Sequence, residues 1–146
     1  MATEPENVYL AFDLGASSGR AILGRVREGR LELEEIHRFR NYPYEEAGHY
    51  RWDFRELLRE LETGLKKAVE AAPDLASFSV DTWGVDYALF RGGELLHDPY
   101  CYRDSRTEPA IEAFHRTIGK ADFYARNGIQ PMVFRRGRAS PPRLAS

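Results

Sequence analysis

Asp13-Leu-Gly-Ala-Ser-Ser-Gly-Arg20 holds the densest set of groups able to do chemistry, and it lies between two apolar, strand-like runs. Gly15 and Gly19 are expected to let the chain turn tightly with φ above zero and bring backbone N–H groups close to an anion. Ser17 and Ser18 add hydroxyl donors, and Arg20 adds a fixed cationic fork. Asp13, at the end of the first run, is placed where a carboxylate holds a hydrated Mg²⁺. The chemistry on offer is phosphate binding, with a plain Gly/Ser hairpin turn as the bland alternative. A P-loop does not fit, because Gly19 is followed by Arg20 and not by the Lys-Ser/Thr that leads into a helix. A dinucleotide fingerprint does not fit either: Gly15 and Gly19 are three residues apart, and a β-like run, Arg20–Val26, follows them.

The elements around this turn are legible as patterns. Val8–Phe12 reads as a buried strand, Arg20–Val26 as a second and Leu31–Phe39 as a third, joined by the charged glycine turn Arg27–Arg30. Short turns make these an antiparallel meander, with a bulge or slip expected where alternation falters at Glu34-Glu35. Asn41–Arg51 reads as an aromatic connection. A helix is expected from Asp53, its N-cap, to about Ala71, with Pro73 enforcing the stop. Its apolar stripe is Phe54, Leu57, Leu58, Leu61, Leu65, Ala68 and Val69. Phe78–Asp81 is a short fourth strand and Tyr87–Phe90 a fifth, followed by helices from about Glu108 to Ile118 and from Asp122 to Arg126. The order β-β-β-α-β with a phosphate turn between the first two strands predicts an α/β, ribonuclease-H-like lobe, the unit that actin-like ATPases use twice.

Composition narrows the field. At 146 residues the chain has one domain's length, and its formal charge of −2 offers no case for nucleic acid or an anionic membrane as partner. Cys101 is the only cysteine, so no internal disulfide is possible, and a buried structural thiol in a reducing cytoplasm is expected. The acidic, polar start Met1–Asn7 is not a signal peptide, and no apolar run approaches the roughly 20 residues of a membrane span. His37, His49, His97 and His115 have no metal-ligand spacing and are given no catalytic role.

Four separated motifs then converge in order: Asp13–Arg20, Glu35-Ile-His-Arg-Phe39, Asp81-Thr-Trp-Gly-Val-Asp86 and Tyr102-Arg-Asp-Ser-Arg-Thr107. Together they resemble the FGGY carbohydrate kinase family, in its branch acting on L-rhamnulose, from about Val8 to Phe134. The resemblance implies transfer of a phosphoryl group from ATP, with Mg²⁺, to the 1-hydroxyl of the sugar. It implies that Ala16, Ser17, Ser18, Gly19 and Arg20 contact the ATP phosphates, that Asp13 serves the metal, and that Gly84 approaches the sugar with its backbone. Asp86 is read as a sugar-hydroxyl acceptor and Asp81 as a structural strand-end residue; the resemblance gives neither an acid/base role. Trp83 either packs on a sugar face or belongs to the core, and Arg103, Asp104 and Arg106 are expected as an internal ion-pair cluster, with direct substrate contact as the alternative. Another FGGY-type sugar or polyol kinase, or a non-catalytic actin-like regulator, stays open as an alternative.

The family's catalytic base is an aspartate in its later half, so no catalytic residue is assigned in this chain. Residues 1–134 are expected to be part of the N-terminal lobe. After Phe134 the resemblance stops, and Arg135–Ser146 carries four arginines and no acid. That composition is what a GC-rich gene yields out of frame, so the tail is expected to be disordered and the kinase-like text to resume in another frame.

Overall fold

The computed structural model describes residues 7–129. Three antiparallel strands form the meander: β1 (Val8–Leu14), β2 (Ser18–Arg27) and β3 (Arg30–Arg40). The β2–β3 turn runs through Glu28 and Gly29 with φ of 49° and 74°, the twist that two-residue hairpins favour. The predicted irregularity in β3 is a bulge. Ala21 faces His37 but Ile22 faces Glu35, which leaves Ile36 as an extra residue.

Residues 41–51, expected as a plain connection, contain a small hairpin of β4 (Tyr44–Glu46) and β5 (His49–Arg51), turning through Ala47 with φ of 50° and Gly48. An alanine in the left-handed region gives no sequence signal for that turn. Helix α1 (Phe54–Ala71) follows, and the Asp53 carboxylate accepts from Glu56 N at 2.8 Å, as its N-cap position predicts. Strand β6 (Leu75–Thr82) then returns parallel to β1, giving a four-stranded sheet of order β3-β2-β1-β6. This is the expected ribonuclease-H-like arrangement, with β6 longer than the Phe78–Asp81 predicted for it.

Alternate residues of β1 and β2 point toward α1. Leu10, Phe12, Ala21 and Leu23 are buried there with Ala68 and Ala72. The helix seats closely because Gly64 has no side chain: a Cβ there would lie 2.7 Å from the Phe12 ring and 3.0 Å from Ala21 Cβ. The buried centre of α1 is therefore Gly64 and Ala68, and not the whole predicted stripe. Leu58 and Val69 are 45% and 48% exposed, because α1 packs on the meander rather than over β6.

Beyond β6 the chain makes a short hairpin, β7 (Phe90–Arg91) and β8 (Glu94–Leu95), a 3-10 turn at Ser105–Thr107, and helices α2 (Glu108–Thr117) and α3 (Lys120–Asn127). Only Phe90 of the predicted fifth strand is in a ladder; Tyr87 and Ala88 line a groove instead. Among the described residues no helix is long and apolar enough to cross a membrane. The expectations for Arg135–Ser146, and for Gln130–Phe134 before it, lie outside the described residues.

Candidate functional site

Parallel pairing of β1 with β6 brings the two chemically suggestive segments to one edge of the sheet. Leu14 is in register with Thr82, so the Gly15–Arg20 turn and the Trp83–Asp86 segment leave the sheet side by side, beyond the carboxyl ends of both strands.

The turn is held from behind. Gly15 N donates to Ser18 O at 3.0 Å, Asn41 N donates to Ser17 O at 3.1 Å, and Asn41 Nδ2 donates to Gly15 O at 2.8 Å. Buried Asn41 thus takes two of the turn's carbonyls, and the N–H groups of Ala16 and Ser17 find no acceptor among the described residues. Two unsatisfied donors at an exposed tip, with the Ser17 and Ser18 hydroxyls beside them, suit an anion. Asn41 was not foreseen, since nothing but its residue type marks it in the sequence.

The glycines work differently from the expectation. Neither Gly15 nor Gly19 has positive φ. Their requirement is space: a Cβ on Gly15 would lie 2.9 Å from Ser18 O, and one on Gly19 would lie 2.1 Å from Cζ of the buried Phe39 ring. Gly19→Ala is accordingly expected to displace Phe39 and cost about 1–3 kcal/mol, read from urea denaturation, with the turn's amide resonances shifting.

Arg20 and Asp13 face each other across the hairpin and form an ion pair, each side chain about half exposed. Arg20 is therefore not an isolated fork, and Asp13 is not an isolated carboxylate. Asp81 stands in register with Asp13 on the same face of the sheet, exposed near the end of its strand. Among the described residues no group of three or more His, Cys, Asp or Glu comes together as a metal cage.

On the other side of this edge, Trp52 is buried at 1% exposure, and its Nε1 donates to Asp86 Oδ2 at 2.7 Å. Trp83 Nε1 donates to the same oxygen, also at 2.7 Å, and its ring packs on Trp52 with centroids 4.7 Å apart. Trp52 is thus the core tryptophan. Trp83, half-buried, lines a groove of about 230 Å³ with Leu14, Leu57 and Leu61. Asp86 is fixed by two indoles through one oxygen. Gly84 has open space where a Cβ would stand, with no atom of the described residues within 4 Å of that point.

A larger hollow of about 620 Å³ opens on the far side of Asp86, bounded by Tyr102, Arg106, Ile111, Phe114 and His115. Its 101–107 wall is pinned by Asp104, whose side chain is 1% exposed. That carboxylate accepts from Tyr50 N at 2.8 Å and Arg106 N at 3.0 Å, and lies 3.2 Å from His49 Nδ1. Burial alone would raise its pKa, but the two backbone N–H bonds and His49 outweigh burial and hold it below the ordinary carboxylate value. The predicted ion-pair cluster is half right. Arg106 Nε lies 3.8 Å from Asp104, whereas Arg103 donates from Nε to Tyr102 Oη at 3.0 Å. Cys101, 1% exposed beneath this wall, has its thiol pKa pushed up chiefly by burial, as a structural cysteine should.

No family model matches the chain. The chain is 47% identical over 127 residues to a rhamnulokinase of Bacteroides thetaiotaomicron, across 86% of the chain and 26% of that protein. It is 40% identical over 128 residues to a rhamnulokinase of Bacillus subtilis, across 87% and 26%. The chain thus spans about a quarter of the length of the curated relatives it matches. Among solved structures, a gluconate kinase from Lactobacillus acidophilus superposes with a TM-score of 0.67 at 11% identity, covering 82% of the chain and 24% of that structure. A xylulose kinase from Rhodospirillum rubrum gives 0.65 at 16% identity, covering 82% and 25%.

Proposed function

The chain belongs to the FGGY carbohydrate kinases, and on that premise we propose that residues 1–134 form the first part of an actin-like lobe serving ATP-dependent phosphorylation of L-rhamnulose at its 1-hydroxyl. The observation that carries the choice of sugar is the 47% identity to a rhamnulokinase; the gluconate and xylulose kinases share the fold at only 11% and 16%. The reaction belongs in the cytoplasm, where ATP and Mg²⁺ are supplied.

The residues present fit this role. The free N–H groups of Ala16 and Ser17, the hydroxyls of Ser17 and Ser18 and the close backbone at Gly19 would hold phosphate oxygens, with the Arg20 guanidinium beside them. Asp13 would hold Mg²⁺ through a single carboxylate, which suits an ion that usually keeps several waters and shares phosphate ligands. When bound, Mg·ATP supplies the phosphoryl group and neutralises the charge that builds on it in transfer. The Gly84 backbone and the Asp86 carboxylate would orient the sugar hydroxyls at the same sheet edge. Asp86 is already aimed by Trp52 and Trp83, so it need not reorganise on binding.

The family's general base is an aspartate in its later half, so the 146 residues alone are expected to release no ADP from ATP in the presence of L-rhamnulose. Sustained sugar-dependent ADP release from the purified chain would overturn that. Grafting residues 8–129 in place of the matched segment of the Bacteroides thetaiotaomicron rhamnulokinase is expected to preserve activity on L-rhamnulose over xylulose, gluconate and glycerol. A graft that prefers another of these sugars would reassign the substrate.

A further inference from the structure

His37, Glu60 and Lys67 meet where β3 passes under α1. Cross-strand pairing sets His37 opposite Ala21, which α1 buries, so the imidazole points to the helix. Its side chain is 12% exposed, and Phe39 lies beside it with ring centroids 5.8 Å apart. On α1, Glu60 and Lys67 are about two turns apart and so share one side of the helix. They reach the two ring nitrogens separately. Lys67 Nζ lies 2.9 Å from His37 Nδ1, and Glu60 Oε2 lies 2.5 Å from His37 Nε2.

The partners fix the protons. An ammonium group only donates, so Nδ1 accepts from Lys67. A carboxylate only accepts, so the ring hydrogen sits on Nε2 and points at Glu60. His37 is thus a neutral imidazole whose lone pair faces a lysine nitrogen, with a carboxylate holding the tautomer behind it. Nucleophile, base and orienting acid touch in that order, the arrangement by which weak nucleophiles are activated. None of the three belongs to the phosphate turn or to the Trp83–Asp86 segment.

We propose that Lys67 is a site of covalent acylation, taking an acyl group from thioesters ahead of the chain's other lysines, Lys66 and Lys120. Having lost one proton to water, Nζ adds to the thioester carbonyl carbon. His37 Nδ1 takes the proton that the new N–C bond makes acidic, the C–S bond breaks, and the thiolate leaves with that proton as a thiol. The products are an Nζ amide and a free thiol, and His37 returns to its neutral form. All three lysines are exposed, so access gives Lys67 no lead; the base beside it does. The amide keeps one N–H for Nδ1, so acylation removes a positive charge and leaves the link between β3 and α1. This inference is independent of the kinase reading.

The purified 146-residue chain is incubated with S-acetyl-N-acetylcysteamine, a small uncharged thioester, at mildly alkaline pH. Cleavage after Glu62 and Glu70 leaves Lys66 and Lys67 on one peptide, and tandem mass spectrometry reads the acetyl group at each. Lys67 is expected to react about tenfold faster than Lys66 or Lys120, a modest share of what a positioned base can supply. His37→Phe keeps a ring in the site and removes the base, so the lead is lost while Lys66 and Lys120 keep their rates. Glu60→Ala lowers the lead and mixes the His37 tautomers, and Glu60→Gln, which retains an acceptor oxygen, recovers both. Far-UV circular dichroism confirms that each variant folds. Should His37→Phe not fold, the wild type decides: the lead vanishes in concentrated urea, and the ring nitrogen chemical shifts of the folded chain report hydrogen on Nε2 alone. A Lys67 no faster than Lys66, a lead that survives urea or loss of the imidazole, or a His37 protonated on Nδ1 overturns the proposal.

Discussion

Replacing Trp52 with alanine is expected to lower the unfolding free energy by about 3–5 kcal/mol and to disorder both concavities at once. The magnitude follows from burial, since the side chain is 1% exposed and among the largest fully buried in the molecule. The reach follows from connectivity. The Trp52 indole N–H holds Asp86, and its ring touches Trp83 and, at 6.4 Å between centroids, Tyr102. One side chain therefore ties the entry to α1, the Gly84 segment and the 101–107 wall. Trp52→Phe separates packing from hydrogen bonding. It keeps most of the apolar volume, so its stability loss, read from the same denaturation curves, should be well under that of alanine, while Asp86 loses one of two donors. Equal losses for the two variants would show that the indole N–H, not the ring, carries the effect.

Asp104→Ala is the second large effect, expected at about 3 kcal/mol, because it strands the Tyr50 and Arg106 N–H groups in a buried site without their acceptor. Asp104→Asn keeps the shape and one acceptor oxygen, so it should cost less. The charge adds a pH signature. A carboxyl group whose folded pKa is depressed stabilises the fold above its unfolded value, near 3.9, and that contribution is lost as pH falls through the lower folded pKa. The stability gap between wild type and Asp104→Asn should therefore be full at neutral pH and shrink below about pH 4. Denaturation midpoints across that range check it, and a gap that widens in acid contradicts the sign.

Strands, helix and turns were readable wherever local pattern decides the structure. The β1–β3 meander, the Asp53 cap, the stop before Pro73 and the irregularity near Glu34-Glu35 all follow from periodicity and residue type. The parallel return of β6 beside β1 was expected from element order alone, and it is what brings the two candidate segments together. Long-range contacts were not readable. The need for glycine at 19 comes from Phe39, twenty residues later, and the need for glycine at 64 comes from Phe12 on another element. Both were invisible as local conformational signals, and the first was misread as a left-handed turn. Asn41 and Trp52 act through bonds to segments 26 and 34 residues away, so neither role showed in the local pattern. The Asp13–Arg20 pair was half visible. Both residues were singled out, but their direct opposition in the ladder needed the hairpin register.

The extra residue at Ile36 has a consequence for how β3 tolerates changes of length. Strand faces alternate with every residue, so a one-residue gain or loss in a regular ladder turns everything on one side of it inside out. At the bulge that rule is suspended. Removing Ile36 would leave His37 opposite Ala21 and Glu35 opposite Ile22, now as consecutive rungs, and Phe39 would stay against Gly19. What would be lost is the apolar contact Ile36 makes with the core and the local bend. The bulge is a slack link in an otherwise rigid strand, the place where this lineage can shed a residue while the floor under its turn stays in step.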